Sequence, residues 1–106
     1  MGKYKQELLK LLSDIKNPAF MDALLYDLLT PKEYNDIVLR WQIAKKLHAG
    51  DQQRDISRKL KVAIATVTRG SRVLANKNGA FAKILRKELG ISHRSERGPA
   101  QRRENQ

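Results

Sequence analysis

Two short helical patterns with only three residues between them, in residues 52–75, constrain the fold of this chain most strongly. Asp51 predicts an N-cap for the first helix, which runs from Gln52 to Leu60. The three-residue break then begins at Lys61, and a left-handed conformation there would cost on the order of 1 kcal/mol. Two short helices joined in this way are typical of a helix-turn-helix unit. The inward residues of the two helices would be Ile56, Leu60, Ile64, Val67, Ser71 and Leu74.

The sequence Thr30-Pro31-Lys32-Glu33 predicts the start of a longer helix. Thr30 can accept from the amide of Glu33, Glu33 can reach back to the amide of Thr30, and Pro31 has no amide proton to leave unpaired. Gly50 predicts a left-handed stop for this helix. Its inward residues would be Ile37, Val38, Trp41, Ala44 and Leu47. We interpret the tryptophan as part of the core and not as a platform for a ligand.

Three further helical segments give an all-α chain of about six helices. The first covers residues 4–15. The second, residues 19–29, is apolar over more than half of its circumference, which predicts a core shared with another chain. The last covers residues 80–89 and ends at Gly90. Its inward residues would be Phe81, Ile84, Leu85 and Leu89.

Length and composition exclude several classes of protein. A chain of 106 residues is expected to form one helical domain, residues 1–90, followed by a disordered basic tail, residues 91–106. It has no cysteine and only two widely separated histidines, so we expect no thiol chemistry and no metal. No set of residues offers a nucleophile with a base, which argues against an enzyme. No apolar run approaches the roughly 20 residues of a membrane span, and we expect a soluble, cytoplasmic protein.

Positive charge is concentrated in one third of the chain, which carries a net charge of +11. Residues 54–87 contain 10 Lys/Arg and one Asp/Glu, whereas residues 1–53 contain 8 and 7. A surface that faces phosphates needs such segregation, and a surface that only has to stay soluble does not. The predicted phosphate contacts are Arg54, Arg58, Lys59, Lys61 and Arg72.

The second helix of the helix-turn-helix unit has the small side chains expected of a helix that reads DNA. The side chains of Ala63, Ala65 and Ser71 are short, so that the helix backbone can approach the base edges. Thr66 and Thr68 offer hydroxyl and methyl groups that suit polar base edges or the thymine methyl group. Double-stranded DNA is therefore the predicted partner.

Two motifs resemble the tryptophan repressor family of bacteria: LLTPKE at 28–33 and IATVTRGS at 64–71, with Arg40 and Gly50 between them. The resemblance covers about residues 20–89. It implies an intertwined, all-helical homodimer that represses transcription by binding operator DNA when L-tryptophan is bound as corepressor. It also implies a set of DNA-facing residues: Gln53, Arg54, Ser57, Ile64, Ala65, Thr66 and Thr68.

The same resemblance implies a tryptophan site. Arg40 and Arg69 would enclose the indole ring and bind the carboxylate, because a guanidinium group both stacks on an aromatic face and forks onto a carboxylate. Gly70 would let the ligand approach the backbone. Thr30 would lie beside the pocket, and carbonyl groups near Leu29 would accept from the ligand's ammonium group.

Two departures from the family pattern keep other functions open. Val73 stands where the family usually has a serine that helps to hold the amino group, so affinity would be weaker or another acceptor, such as Asp27, would take over. The link after Gly50 is one residue shorter than usual. A related DNA-binding regulator with a different ligand, or none, is therefore one alternative. Another is a nucleic-acid-binding protein without sequence preference, whose binding would fall steeply with salt.

Overall fold

The structure, a computed structural model, describes residues 2–90. Within that range it contains no strand and six α-helices: α1 (Gly2–Asp14), α2 (Pro18–Leu28), α3 (Pro31–His48), α4 (Gln53–Leu60), α5 (Ile64–Ala75) and α6 (Ala80–Leu89). The prediction of an all-α chain with about six helices is confirmed. The tail predicted for residues 91–106 lies outside the described residues. No helix of the described part is both long and apolar enough to cross a membrane.

The chain divides between Ile37 and Val38 into two compact units, which we call the N-terminal and the C-terminal unit. The N-terminal unit contains α1, α2 and the first turns of α3. The C-terminal unit contains the rest of α3 together with α4, α5 and α6. The predicted helix-turn-helix therefore lies entirely within the C-terminal unit.

Local hydrogen bonds set the helix boundaries of the N-terminal unit. The side-chain oxygen of Asn17 accepts from the amides of Ala19 and Phe20, at 2.8 and 3.2 Å, and so caps α2. At the start of α3 the amide of Glu33 donates to the hydroxyl of Thr30, at 3.1 Å. The carboxylate of Glu33 accepts from the amide of Thr30, at 2.9 Å. The predicted capping box is confirmed.

Tyr34 connects α3 to α2 within the N-terminal unit. Its hydroxyl donates to the Asp22 carboxylate at 2.7 Å, and its ring meets the edge of the Tyr26 ring with centroids 5.0 Å apart. The hydrogen bond to the carboxylate, helped by partial desolvation, raises the pKa of the Tyr34 hydroxyl above its usual value.

The helices of the N-terminal unit leave many apolar side chains uncovered. Neither α1 nor α2 contains a buried residue. Phe20 is 62% exposed and Tyr26 is 61% exposed. Large apolar side chains exposed to this degree on two helices are unusual for a chain that works alone. These side chains are available to a second chain, and the core that α2 would share with it stays a prediction.

One cluster in the core of the C-terminal unit takes a fully buried residue from each of three helices. Ile43 of α3, Ile56 of α4 and Val67 of α5 pack together and are at most 1% exposed. Trp41 and Phe81 add a contact between α3 and α6, with ring centroids 6.2 Å apart. The predicted inward positions of Ala44, Ile56, Val67 and Leu85 are confirmed, whereas Ile43 and Ala82 are buried without having been predicted.

Five predicted inward positions are wrong for the described chain. Their side chains are between 44% and 52% exposed. They are Ile37, Val38, Ile64, Ile84 and Leu89. Helical periodicity identifies the apolar side of a helix, but it does not tell whether a neighbouring helix covers that side.

Asp51 belongs to the end of α3, and its prediction as the N-cap of α4 is wrong. The amide of Gly50 donates to the carbonyl of Leu47, and that of Asp51 donates to the carbonyl of Lys46, each at 3.0 Å. This pair of bonds closes α3 around Gly50, whose φ of 99° confirms the predicted left-handed stop. The cap position of α4 therefore falls to Gln52, without a side-chain capping bond, and α4 begins one residue later than predicted.

Lys61 takes the predicted left-handed conformation, with φ 58° and ψ 47°, where α4 ends. The amides of Lys61 and Val62 both donate to the carbonyl of Ser57. The hydroxyl of Ser57 donates in turn to the carbonyl of Val62, at 2.6 Å. Hydrogen bonds thus hold the lysine in a region that residues with a β-carbon disfavour.

We expect Lys61→Gly to raise the free energy of unfolding by about 0.5 kcal/mol, because relief of left-handed strain exceeds the added entropy of the unfolded chain. The control is Lys59→Gly, which removes the same charge inside α4. This variant should lower the free energy of unfolding by about 1 kcal/mol. Urea unfolding followed by circular dichroism at one protein concentration measures both. Equal destabilisation of the two variants would contradict the assignment of strain to Lys61.

Candidate nucleic-acid interface

The N-terminal end of α5 is exposed and carries mostly short side chains. Ala63, Ile64, Ala65 and Thr66 are consecutive exposed residues, and Ile64 is 50% exposed. Three of these four side chains extend no further than a γ-atom. A flat surface of this kind lets a helix backbone approach base edges in the major groove. The outward position of Ile64 fits its predicted place facing DNA, although it contradicts its predicted place in the core.

Two predicted DNA-facing residues use their hydroxyl protons inside the helix-turn-helix unit. Ser57 gives its proton to the carbonyl of Val62. Thr68 lies 2.8 Å from the side-chain oxygen of Gln53 and 3.0 Å from the carbonyl oxygen of Ile64, and it donates toward both. These hydrogen bonds fix the turn and join α4 to α5. Ser57 and Thr68 were predicted to contact DNA, and no sequence pattern indicates these internal bonds.

Exposed cations surround this surface. Asp55 is the only acidic residue in residues 54–72, and it pairs with Arg58 at 3.6 Å. Such an exposed pair contributes little free energy and neutralises one charge. The cations predicted to contact phosphates are all exposed: Arg54, Arg58, Lys59, Lys61 and Arg72. The helix-turn-helix unit therefore presents a strongly positive surface.

The two arginines predicted to bind the ligand are both in the C-terminal unit. Arg40 and Arg69 are exposed, and neither forms an ion pair with a carboxylate among residues 2–90. Arg40 precedes the core residue Ile43 by three positions, so the two side chains share a face of α3. Arg69 is the neighbour of Gly70 on α5.

Gly70 is the point of close approach between α5 and α3. A β-carbon built on Gly70 would lie 2.9 Å from Cγ2 of Ile43 and 3.5 Å from Cδ1 of Leu47. Only a residue without a β-carbon fits there unless Ile43 moves. The contact brings the segment that carries Arg69 against the face of α3 that carries Arg40. Packing between helices is thus a reason for this glycine, in addition to its predicted role in ligand approach.

The other residues of the predicted ligand site have local roles of their own. Leu29 is half-buried, and its amide closes α2 by donating to the carbonyl of Leu25. Thr30 caps α3 through its hydroxyl, which accepts from the Glu33 amide and retains its proton for another acceptor. Both belong to the N-terminal unit, and their place in a pocket stays a prediction. The described residues contain no group of His, Asp or Glu side chains that could hold a metal ion.

A family model described as Trp repressor protein matches residues 3–89 of this chain. The chain belongs to the Trp repressor family. The family resemblance predicted from the two motifs is confirmed, and the match extends beyond residues 20–89 to include α1. Trp repressor proteins are regulatory, DNA-binding proteins, and this member of the family is accordingly a DNA-binding repressor of transcription.

Relatives from three bacteria support the same assignment. A Trp operon repressor homolog of Chlamydia trachomatis serovar L2 is 34% identical over 85 residues, which cover 79% of this chain and 90% of the relative. One from Aliivibrio salmonicida is 38% identical over 77 residues, which cover 72% of this chain and 71% of the relative. One from Vibrio vulnificus is 47% identical over 58 residues, covering 54% and 57%. No solved structure gives a significant match.

We expect Gly70→Ala to lower the free energy of unfolding by about 1 kcal/mol. The new methyl group would press on Ile43, which is 1% exposed, and overpacking of about 1 to 3 kcal/mol outweighs a gain of about 1 kcal/mol in helix propensity. Ser71→Ala is the control, because it improves helix propensity at the next position without adding an atom. A stabilised Gly70→Ala protein in urea unfolding would show that α5 does not press on α3 there.

Proposed function

We propose that this chain is a homodimeric repressor that binds operator DNA in the cytoplasm when L-tryptophan is bound as corepressor. The observation that carries the proposal is the close approach of α5 to α3 at Gly70 and Ile43. Through this contact the helix that would read DNA rests on the helix that carries Arg40. A ligand held by Arg40 and Arg69 would therefore bind to both helices at once.

The uncovered apolar side chains support the homodimer. Both α1 and α2 lack a buried residue, and further exposed apolar side chains lie on α3 and α6. Full burial of one Leu, Ile or Phe side chain stabilises a protein by roughly 1.5 to 3 kcal/mol. A second copy that covered several of these side chains would gain enough free energy to offset the entropy lost on association.

The chemistry of the two arginines supports an aromatic amino acid as the ligand. Each guanidinium group is planar, offers N–H donors in a fork that matches a carboxylate, and can stack on an indole ring. Arg40 and Arg69 are not neutralised by carboxylates of the described chain. Leu29 and Thr30, as predicted from the family resemblance, would supply a carbonyl for the ammonium group and a neighbouring hydroxyl.

Ligand binding would act on DNA affinity by a shift of population. A ligand that contacts both α3 and α5 favours the arrangement of α5 in which those contacts are all made. In a helix-turn-helix dimer the two reading helices must enter successive turns of the major groove, about 34 Å apart. The N-terminal end of α5 would then face the bases, and the cations of α4 and the turn would contact phosphates.

We expect Arg69→Ala to abolish the increase in DNA affinity that L-tryptophan produces, and to leave the protein folded and dimeric. Arg69→Lys should restore the charge without the response, because an ammonium group neither forks onto a carboxylate nor stacks as a plane. Fluorescence anisotropy with a duplex selected by the wild-type protein from a randomised pool measures the response. Sedimentation measures the oligomeric state.

Arg72→Ala is the matched control, because it removes the same charge from α5 at an exposed position. It should weaken DNA binding and keep the calorimetric heat of L-tryptophan binding, whereas Arg69→Ala should lose that heat. A wild-type protein that gives no heat with millimolar L-tryptophan would overturn the proposal.

Val73 favours one alternative, a repressor of the same fold with another ligand or none. It follows Arg69 by one helical turn and is 43% exposed, so its methyl groups occupy the place of a possible hydrogen-bond partner for an ammonium group.

We expect Val73→Ser to tighten L-tryptophan binding about 10- to 100-fold in calorimetry, because a hydrogen bond to a charged group contributes about 1.5 to 3 kcal/mol. The alternative is favoured if Val73→Ser does not bind L-tryptophan more tightly and if the DNA affinity is the same with and without L-tryptophan.

A further inference from the structure

Thr68 forms the side-chain hydrogen bond that joins the two helices of the helix-turn-helix unit. Its hydroxyl donates to Oε1 of Gln53 at 2.8 Å, and the two residues are 15 positions apart. The carbonyl oxygen of Ile64 lies 3.0 Å from the same hydroxyl and shares its proton. Gln53 and Thr68 are both half-buried, which limits the competition from water. This bond therefore fixes the Gln53 amide against α5.

An amide whose oxygen is already engaged can still offer both N–H donors of its nitrogen to a partner. A glutamine side chain has one oxygen acceptor and two N–H donors on Nε2. Within the described residues the oxygen of Gln53 is engaged by Thr68 and Nε2 has no partner. A glutamine with both ends free can pair with adenine through two hydrogen bonds. In Gln53 the bond from Thr68 orients the amide and leaves the two Nε2 donors open.

We propose that Thr68 is a positioning residue that acts on DNA through Gln53, by holding the amide so that Nε2 donates to an acceptor atom of the duplex. The inference rests on the proposed function, because it requires α4 and α5 to face DNA. Gln53 is the first residue of α4 and precedes the exposed Arg54, and Thr68 follows the exposed surface at residues 63–66. The acceptor is a phosphate oxygen or a base-edge atom such as guanine O6, guanine N7 or thymine O4.

A double-mutant cycle on the full-length protein tests this role. Thr68→Val removes the hydroxyl and keeps the shape, and Gln53→Ala removes the amide. With saturating L-tryptophan and the selected duplex, Thr68→Val should weaken binding about tenfold alone and less than about twofold in the Gln53→Ala background. Thr68→Ser keeps the hydroxyl and should restore most of the affinity. Equal losses in both backgrounds, as a direct contact or a folding defect of Thr68→Val would give, overturn the proposal.

The variant Gln53→Glu tests the donor role of Nε2 separately from the acceptor role of Oε1. Its carboxylate can still accept from the Thr68 hydroxyl, but it has no proton to donate and it repels phosphates. We expect it to bind DNA at least as weakly as Gln53→Ala, and affinity equal to that of the wild-type protein overturns the proposal. A loss confined to the selected duplex identifies a base edge as the acceptor. An equal loss on a scrambled duplex of the same composition identifies a phosphate.

Nuclear magnetic resonance of the free protein separates this inference from the proposed function. The side-chain N–H signals of Gln53, assigned by their loss in Gln53→Ala, should shift in Thr68→Val and return in Thr68→Ser. Signals that do not shift overturn the inference and leave the repressor function standing. If the wild-type protein prefers no duplex over a scrambled one, the proposed function fails, and the DNA role of Thr68 fails with it even though the signals shift.

Discussion

The C-terminal unit depends on the contact of three buried aliphatic residues, each from a different helix. Ile43, Ile56 and Val67 exclude water almost completely, and the half-buried Leu47, Leu60 and Val62 pack against them. In so small a core each methyl group makes a noticeable contribution to stability. Because α5 also approaches α3 without a β-carbon at Gly70, the position of the DNA-reading helix follows directly from the position of α3.

The residues that would work on DNA or on a ligand lie around this core and not within it. The cations of α4 and α5 are exposed, and Arg40 and Arg69 lie beside the buried Ile43 and the close-packed Gly70. Helices fix their backbones, and their long side chains lie at the surface. A scaffold of this kind positions charged groups without burying any of them, so no large desolvation penalty opposes folding.

Sequence patterns predicted the features of this fold that depend on neighbouring residues. The capping box at Thr30 and Glu33, the stop at Gly50 and the strained Lys61 each depend on a few adjacent residues, and each was found where expected. The N-cap assigned to Asp51 failed because two local roles competed for one residue, and closure of α3 uses it instead. Local rules do not rank such competing roles.

The features that depend on distant residues could not be predicted from periodicity. Ile43 was missed because α3 is apolar on more than one side, and only the approach of Gly70 decides which side is buried. Ile84 and Leu89 were expected in the core and are exposed, since no neighbour within the described chain covers them. The internal hydrogen bonds of Ser57 and Thr68 escaped notice for the same reason: their partners are set by how α4 meets α5.

The closure of α3 by Asp51 leaves a very short connection to the next helix. Residues up to Asp51 are tied back to α3, and α4 starts at Gln53, so the backbone torsions of Gln52, φ −76° and ψ 145°, form the whole connection between the two helices. A connection of one residue confines any change in the angle between the two helices to these two torsions. Any turning of α4 relative to α3 must therefore take place at Gln52 and disturb the aliphatic contact of Ile43, Ile56 and Val67 at the same time.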